Sequence, residues 1–329
     1  MTYLIATHSQ LFAVTFDEHW RVVQCRSIAP GHHYGIAFLT TDTLDAVLVK
    51  QDDRHFRVLD RQTLVDVADP IPFLGETGAI HQLSYANDGL YFANTDFNNI
   101  VYQTLDGRTY HSYHFEGRSI DHNHINSVFP CGHQIFALLH NKGRTLTELA
   151  ILDHHPDTGF TYRQSISIWD HGCHNVFLEN KRLYYNASSN GQFVVADLER
   201  QEILIRRSYP GHTKGLSVND KHIVIGFSEH AERNTRANTR GYLAVINLQT
   251  LKEIDIVDLE ALDLPYPIGN INEIRCVSGG ERAHASSTPI TIDWTATRLA
   301  RRNPAEYFMK HLSLYAARSF KKLTGDRKL

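Results

Sequence analysis

Histidine recurs in this chain where a catalyst or a ligand site could use it. There are 21 histidines among 329 residues, and five segments start on or near one. They read HHYGIAFLTTDTLDAVLVKQDDR (32–54), IHQLSYANDGLYFANTDFN (80–98), HINSVFPCGHQIFALLHNKG (124–143), CHNVFLENKRLYYNASSNG (173–191) and HTKGLSVNDKHIVIGFSEHAER (212–233). The first apolar residues of their β-prone runs are Ile36, Leu83, Val128, Val176 and Leu216, with Ile274 in a sixth run. Two places earlier stands a polar residue each time: Tyr34, His81, Asn126, His174, Lys214 and Asn272. Two places before those stand His32, Ala79, His124, Gly172, His212 and Asn270. In an extended chain a spacing of two puts both sets on one face.

Neutral imidazoles suit Zn²⁺, and also Fe, Cu, Ni or Mn. A catalytic zinc takes three protein ligands and keeps one open position. His81, His124 and His174 are therefore the expected ligands of one divalent metal, zinc first, with His212 as a fourth candidate. Tyr34, Glu229 and Glu273 are candidate acid/base groups. Asn94, Asn126, Lys142, Arg144, Asn186, Lys214, Arg233 and Asn272 are candidate substrate-binding groups, the basic ones suiting an anionic substrate. The competing reading of the same residues is a polar channel mouth that holds water or a ligand and catalyses nothing. The chain has no Walker loop, no GxGxxG and no GxSxG elbow, so no nucleotide cofactor is expected.

Residues so far apart meet only if the elements carrying them repeat in space. Each segment continues into a turn of Asn, Asp, Gly or Lys and a second β run. A period of about 40–50 residues with several strands per unit is the signature of a β-propeller, which brings the same position of every blade to a central channel. Second strands run antiparallel to the first, so their ends, at Asn94 and Asn98, His140 to Arg144, Asn186 to Asn190 and Glu229 to Arg233, are expected at the same mouth. Blades are expected at about 32–70, 80–117, 122–169, 173–210 and 212–262. The sixth inner run, INEIRCV (271–277), lacks partners, and three strands before residue 28 lack an inner strand. Joining them closes an all-β, six-bladed propeller over residues 1–277 and removes open sheet edges. A seven-bladed count is the alternative.

Composition agrees. Fifteen Tyr and sixteen Phe against two Met favour strands. The net charge of −3 gives no electrostatic case for nucleic acid. Four widely spaced cysteines form no CxxC pair and suit reduced thiols in a cytoplasmic protein. The first residues alternate like a strand and do not resemble a signal peptide. No apolar run reaches the ~18 residues of a spanning helix. Residues 278–296 are expected to be a linker. From 297 to 329 there are nine basic and two acidic residues. Asn303, Pro304 and Glu306 make a helix start, and Phe308, Leu312, Tyr315, Phe320 and Leu323 fall on one stripe. This basic amphipathic helix is expected to pack on the propeller rim, with contact to a protein or an anionic membrane surface as the alternative.

The runs IHQLSYANDGLYFANT, NHINSV, CHNVFLENKRLYYNASSNGQFVVAD, GHTKGLSVNDKHIVIGFSEHAER and NINEIRC together resemble a bacterial family of conserved hypothetical proteins with a domain of unknown function. The resemblance covers residues 78–277 and implies a propeller without implying an activity. At the level of the fold the chain is also similar to lyase propellers that bind zinc through channel-mouth histidines, although their motifs are absent. The expected function is lyase or isomerase chemistry on a small polar or anionic metabolite such as a sugar derivative. The alternative is a non-catalytic propeller that binds a glycan, peptide or protein.

Overall fold

The chain folds into six four-stranded antiparallel sheets. A computed structural model describes residues 1–116, 120–282, 290 and 292. The expected basic helix and most of the expected linker lie outside the described residues. The first complete blade is β4 (Ile36–Thr40), β5 (Asp45–Lys50), β6 (His55–Asp60) and β7 (Ile71–Pro72). The second is β8 (Ile80–Ala86), β9 (Gly89–Asn94), β10 (Asn99–Thr104) and β11 (Tyr110–His114). The third is β12 (Ile125–Cys131), β13 (Gln134–Leu139), β14 (Glu148–His155) and β15 (Gly159–Ser167). The fourth is β16 (Cys173–Glu179), β17 (Arg182–Ala187), β18 (Gln192–Asp197) and β19 (Glu202–Ser208). The fifth is β20 (His212–Val218), β21 (His222–Ser228), β22 (Gly241–Asn247) and β23 (Glu253–Asp258).

The sixth blade is composite. Its inner strand β24 (Ile271–Cys276) pairs with β1 (Thr2–Thr7), which is followed by β2 (Gln10–Phe16) and β3 (Val22–Pro30). Tyr3 faces Cys276 and Ile5 faces Ile274 across that seam. The inner strands β4, β8, β12, β16, β20 and β24 touch one another in turn, and β24 meets β4. The expected six blades and the closure by the N-terminal strands are therefore what forms.

Strand chemistry follows position in the blade. The middle strands are buried on both faces and read as continuous apolar runs, as in GLYFAN and QIFALL. The outer strands β3, β11 and β23 are half-exposed and carry the polar alternation. Apolar clusters fill the spaces between blades, one of them running from Phe129 through Phe177 and Phe193 to Phe227. Each such side chain contributes about 1.5–3 kcal/mol by leaving water. Asn87 and Asp88 both have positive φ, the geometry of the two-residue hairpin turn that joins β8 to β9. Among the described residues no helix is long and apolar enough to cross a membrane.

Candidate active site

Polar residues reach the channel because the inner strands are bulged. Ile80 pairs with Asn94 but Leu83 with Phe92, leaving an extra residue on β8. The same occurs between Ile125 and Ser127, between His174 and Val176, between Thr213 and Leu216, and at Asn272 on β24. A bulge bends its strand and re-aims the side chains beside it. Asn175 and Gly215 take the positive φ that the distortion requires. Five blades thus deliver their polar residues to one end of the channel, while β4 pairs regularly with β5 and Tyr34 lies just before it.

There they line one cavity of about 530 Å³. Its wall is a run of rings. Ring centroids are 4.1 Å apart for His8–His32, 4.6 Å for His32–Tyr34 and 4.5 Å for Tyr34–His81. The run continues through His81–His124 at 5.3 Å, His124–His140 and His140–His174 at 4.9 Å each, and His174–His212 at 5.6 Å. His81 Nδ1 donates to the Ala79 carbonyl at 2.7 Å, and His124 Nδ1 to Asp121 Oδ1 at 2.7 Å. His174 Nδ1 lies 2.9 Å from Ser188 Oγ, whose own proton goes to the Asn186 carbonyl. In His81 and His174, which burial keeps neutral, Nε2 is then the lone-pair nitrogen. Burial holds His81, His174 and His212 well below the usual imidazole range, and neighbouring Lys214 pushes the same way. His8 and His140 fall to about 3, again mainly through burial.

The tautomer suits a metal but the spacing does not. His140 stands between His124 and His174, and the rings follow one another edge to face around the wall instead of converging on a point. Among the described residues no group of three or more His, Cys, Asp or Glu is arranged to hold a metal ion. No step below uses one.

Lys214 is the most unusual group in the cavity. Only 7% of it is exposed. Its Nζ sits 4.5 Å from the Tyr34 ring centroid, and among the described residues no carboxylate forms an ion pair with it. Burial first, and Arg236 second, lower its pKa to about 7, with Glu273 opposing. Arg236 belongs to the 3₁₀ turn Arg236–Asn238 in the loop between β21 and β22. Its Nε is buried without a hydrogen-bond partner among the described residues. Arg233 lines the same side. The opposite side is acidic. Asp53 pairs with Lys50 at 2.7 Å and Asp121 with Lys142 at 2.9 Å. Asp96 has its carboxyl raised by burial and by the charges of Asp121 and Asp53. The cavity therefore has a cationic arc from the fifth blade and an acidic arc from the first three.

Of the residues singled out in the sequence, Tyr34, His81, His124, His174, His212, Lys214 and Arg233 share this cavity. Glu273 lies below it, in a buried ion pair with Arg275. The asparagines tie the scaffold together and do not line the cavity. Asn126 Nδ2 donates to the Cys173 carbonyl at 2.9 Å, Asn272 Nδ2 to His33 at 2.7 Å and Asn186 Nδ2 to Gly215 at 3.1 Å. These three bonds link neighbouring blades. Asn94 holds the loop before β8 through the Glu76 carbonyl and Gly78 N–H. Glu229 is exposed, and its carboxylate accepts from the Arg240 backbone N–H at 3.3 Å. Lys142 and Arg144 stand around the 3₁₀ turn Asn141–Gly143, outside the cavity lining. Sequence reasoning missed His8, Lys50, Asp53, Asp96, Asp121 and Arg236 as lining groups. His8, Lys50 and Asp96 fall within three residues of a second strand's end, the same position that pointed to His140.

No family model and no curated protein matches the chain in sequence. Solved structures are similar in fold. A chain of a nidogen/laminin complex aligns at 10% identity with a TM-score of 0.56, covering 84% of this chain and 98% of that one. A protein of unknown function from Bacteroides caccae aligns at 12% identity and TM-score 0.57, covering 83% and 97%. The WD40 β-propeller domain of Doa1 aligns at 10% and 0.52, covering 78% of each chain. At such identities the likeness concerns the fold alone.

Proposed function

We propose that the channel-mouth cavity is the active site of a lyase or isomerase acting on a small anionic, hydroxylated metabolite such as a sugar acid. The observation that carries this reading is Lys214, a buried amine without an ion-pair partner among the described residues, in a cavity large enough for such a ligand. An amine brought to about 7 by burial and Arg236 is half neutral near neutral pH and can exchange a proton with substrate. Arg233 and Arg236 supply donors for a carboxylate. The lone-pair Nε2 of His81 and His174 and the carboxylates of Asp53 and Asp96 supply acceptors for hydroxyl groups. Tyr34, its phenol pushed up to about 12 by burial, stays protonated and serves as a donor. The four free thiols agree with a reducing compartment.

The test is proton exchange. The protein is incubated in D₂O with a panel of uronic, aldonic and oxo acids, and loss of carbon-bound protons is followed by NMR. Exchange that disappears in Lys214→Met is expected. Stoichiometric binding of a panel member with no exchange or turnover would assign the cavity to a binding propeller instead.

A further inference from the structure

We propose that Lys214 captures its substrate covalently, as an iminium ion with the carbonyl group of a small oxo acid whose carboxylate is held by Arg236. This rests on the reading of the cavity as an active site and adds the substrate class and the bond. The amine is buried at the cavity wall, reaches the open space and is tied to no carboxylate among the described residues. Desolvation beside a second cation is the setting that makes a lysine nucleophilic. Its lowered pKa points the same way. In the step, the Nζ lone pair forms a bond to the carbonyl carbon. The carbonyl oxygen takes up the amine proton and one further proton and leaves as water, and the C=N⁺ bond closes.

Charge then selects the substrate. The iminium is cationic, in a site where Arg236 is already a neighbouring cation whose Nε has no hydrogen-bond partner among the described residues. An uncharged ketone would leave the iminium and Arg236 as two like charges in one cavity, each disfavouring the other. A carboxylate on the substrate neutralises one of them and accepts the orphaned donor. The acidic arc at Asp53 and Asp96 can accept hydrogen bonds from hydroxyls further along the chain.

The experiment uses the full-length protein with pyruvate and sodium cyanoborohydride at pH 7, acetone serving as the uncharged control. Adducts are mapped by peptide mass spectrometry. At that pH Lys214 has roughly a 10³-fold larger neutral fraction than an ordinary surface lysine. Expected is a reduced pyruvyl adduct concentrated at Lys214 and absent from Lys214→Met. The pyruvate adduct should fall at least about tenfold further than the slow acetone adduct in Arg236→Gln, since loss of the neighbouring charge raises the amine's pKa for both ketones but loss of the carboxylate partner affects pyruvate alone. Melting curves establish that both variants are folded. Labelling spread over surface lysines, or a Lys214 adduct indifferent to Arg236 and to the substrate carboxylate, overturns the proposal. Proton exchange without a trapped adduct sinks the covalent step and leaves the active-site reading standing. A trapped adduct without exchange or turnover does the reverse.

Discussion

At the scale of the residue, Lys214 separates function from stability. A buried ammonium without a partner destabilises the fold, because it has lost water and gained no counter-charge. Lys214→Met keeps the packing stem and removes the charge. We expect it to melt at the same temperature as the parent or higher, while proton exchange is abolished; calorimetry and NMR on one preparation check both. A lysine kept for structure would give the opposite pair. The pH profile follows from the same group. The neutral amine is the active form, so rate should rise with pH through about 7 and then level. A rate that falls across that interval would mean that the protonated amine is the working species. His81, His124 and His174 differ from Lys214 in being held by designed-looking partners on Nδ1. That arrangement fixes which nitrogen faces a ligand, and substitution by Asn should weaken binding without removing the reactive group.

At the scale of the element, the bulge explains both what the sequence revealed and what it hid. Two-residue periodicity was enough to gather Tyr34, His81, His174 and Lys214, because each precedes the regular part of its inner strand by the same distance. It was not enough to tell a lining residue from a tie. Asn126 and Asn272 occupy the aligned position yet turn sideways to the next blade, since an asparagine can satisfy a neighbouring backbone group. Asp96 and Arg236 sit in loops, where no period constrains direction. Asn175 shows how much the bulge carries. Its Oδ1 accepts from Gly215 N at 2.7 Å and from Asn186 at 3.3 Å, and its φ is positive at 51°. Asn175→Ala would strand a buried N–H and place a Cβ-bearing residue without side-chain compensation in the left-handed region. We expect a loss of roughly 3 kcal/mol in urea unfolding, from those two costs together. A loss under half of that would show that the blade link is redundant.

At the scale of the whole molecule, closure and pH act on the ring as a unit. The composite blade was legible because orphan strands stood at both ends of the repeat, and a closed ring leaves no inner strand without the rest of its blade. Removing residues 1–30 takes away β1, β2 and β3 and exposes β24 together with the neighbouring apolar clusters. That truncation should be insoluble or lose cooperative melting; a soluble, sharply melting product would contradict the closure. The ring of neutral histidines sets the acid side of stability. His81 and His174 are buried and held well below the 6.5 of an unfolded histidine, and His140 lies at about 3. Below pH 6.5 the unfolded chain binds protons that the folded ring refuses, so stability is complete above 6.5 and declines as pH falls. Lys214 acts in the same sense at higher pH, since the unfolded amine at 10.5 holds its proton while the folded one at about 7 releases it. Glu281 opposes both. Burial raises its carboxyl to about 7, so its contribution is present below 4.5 and lost as pH rises through 7. Burial raises Asp96 and Glu273 as well, but these three carboxyls face a larger set of lowered imidazoles, which leaves the histidines in control between pH 6.5 and 4, at about 1 kcal/mol per pH unit for each buried ring. The melting temperature should therefore fall steeply over that interval. Replacing His81 and His174 together by Asn should flatten the fall, and an unchanged slope would place the acid sensitivity outside the cavity wall.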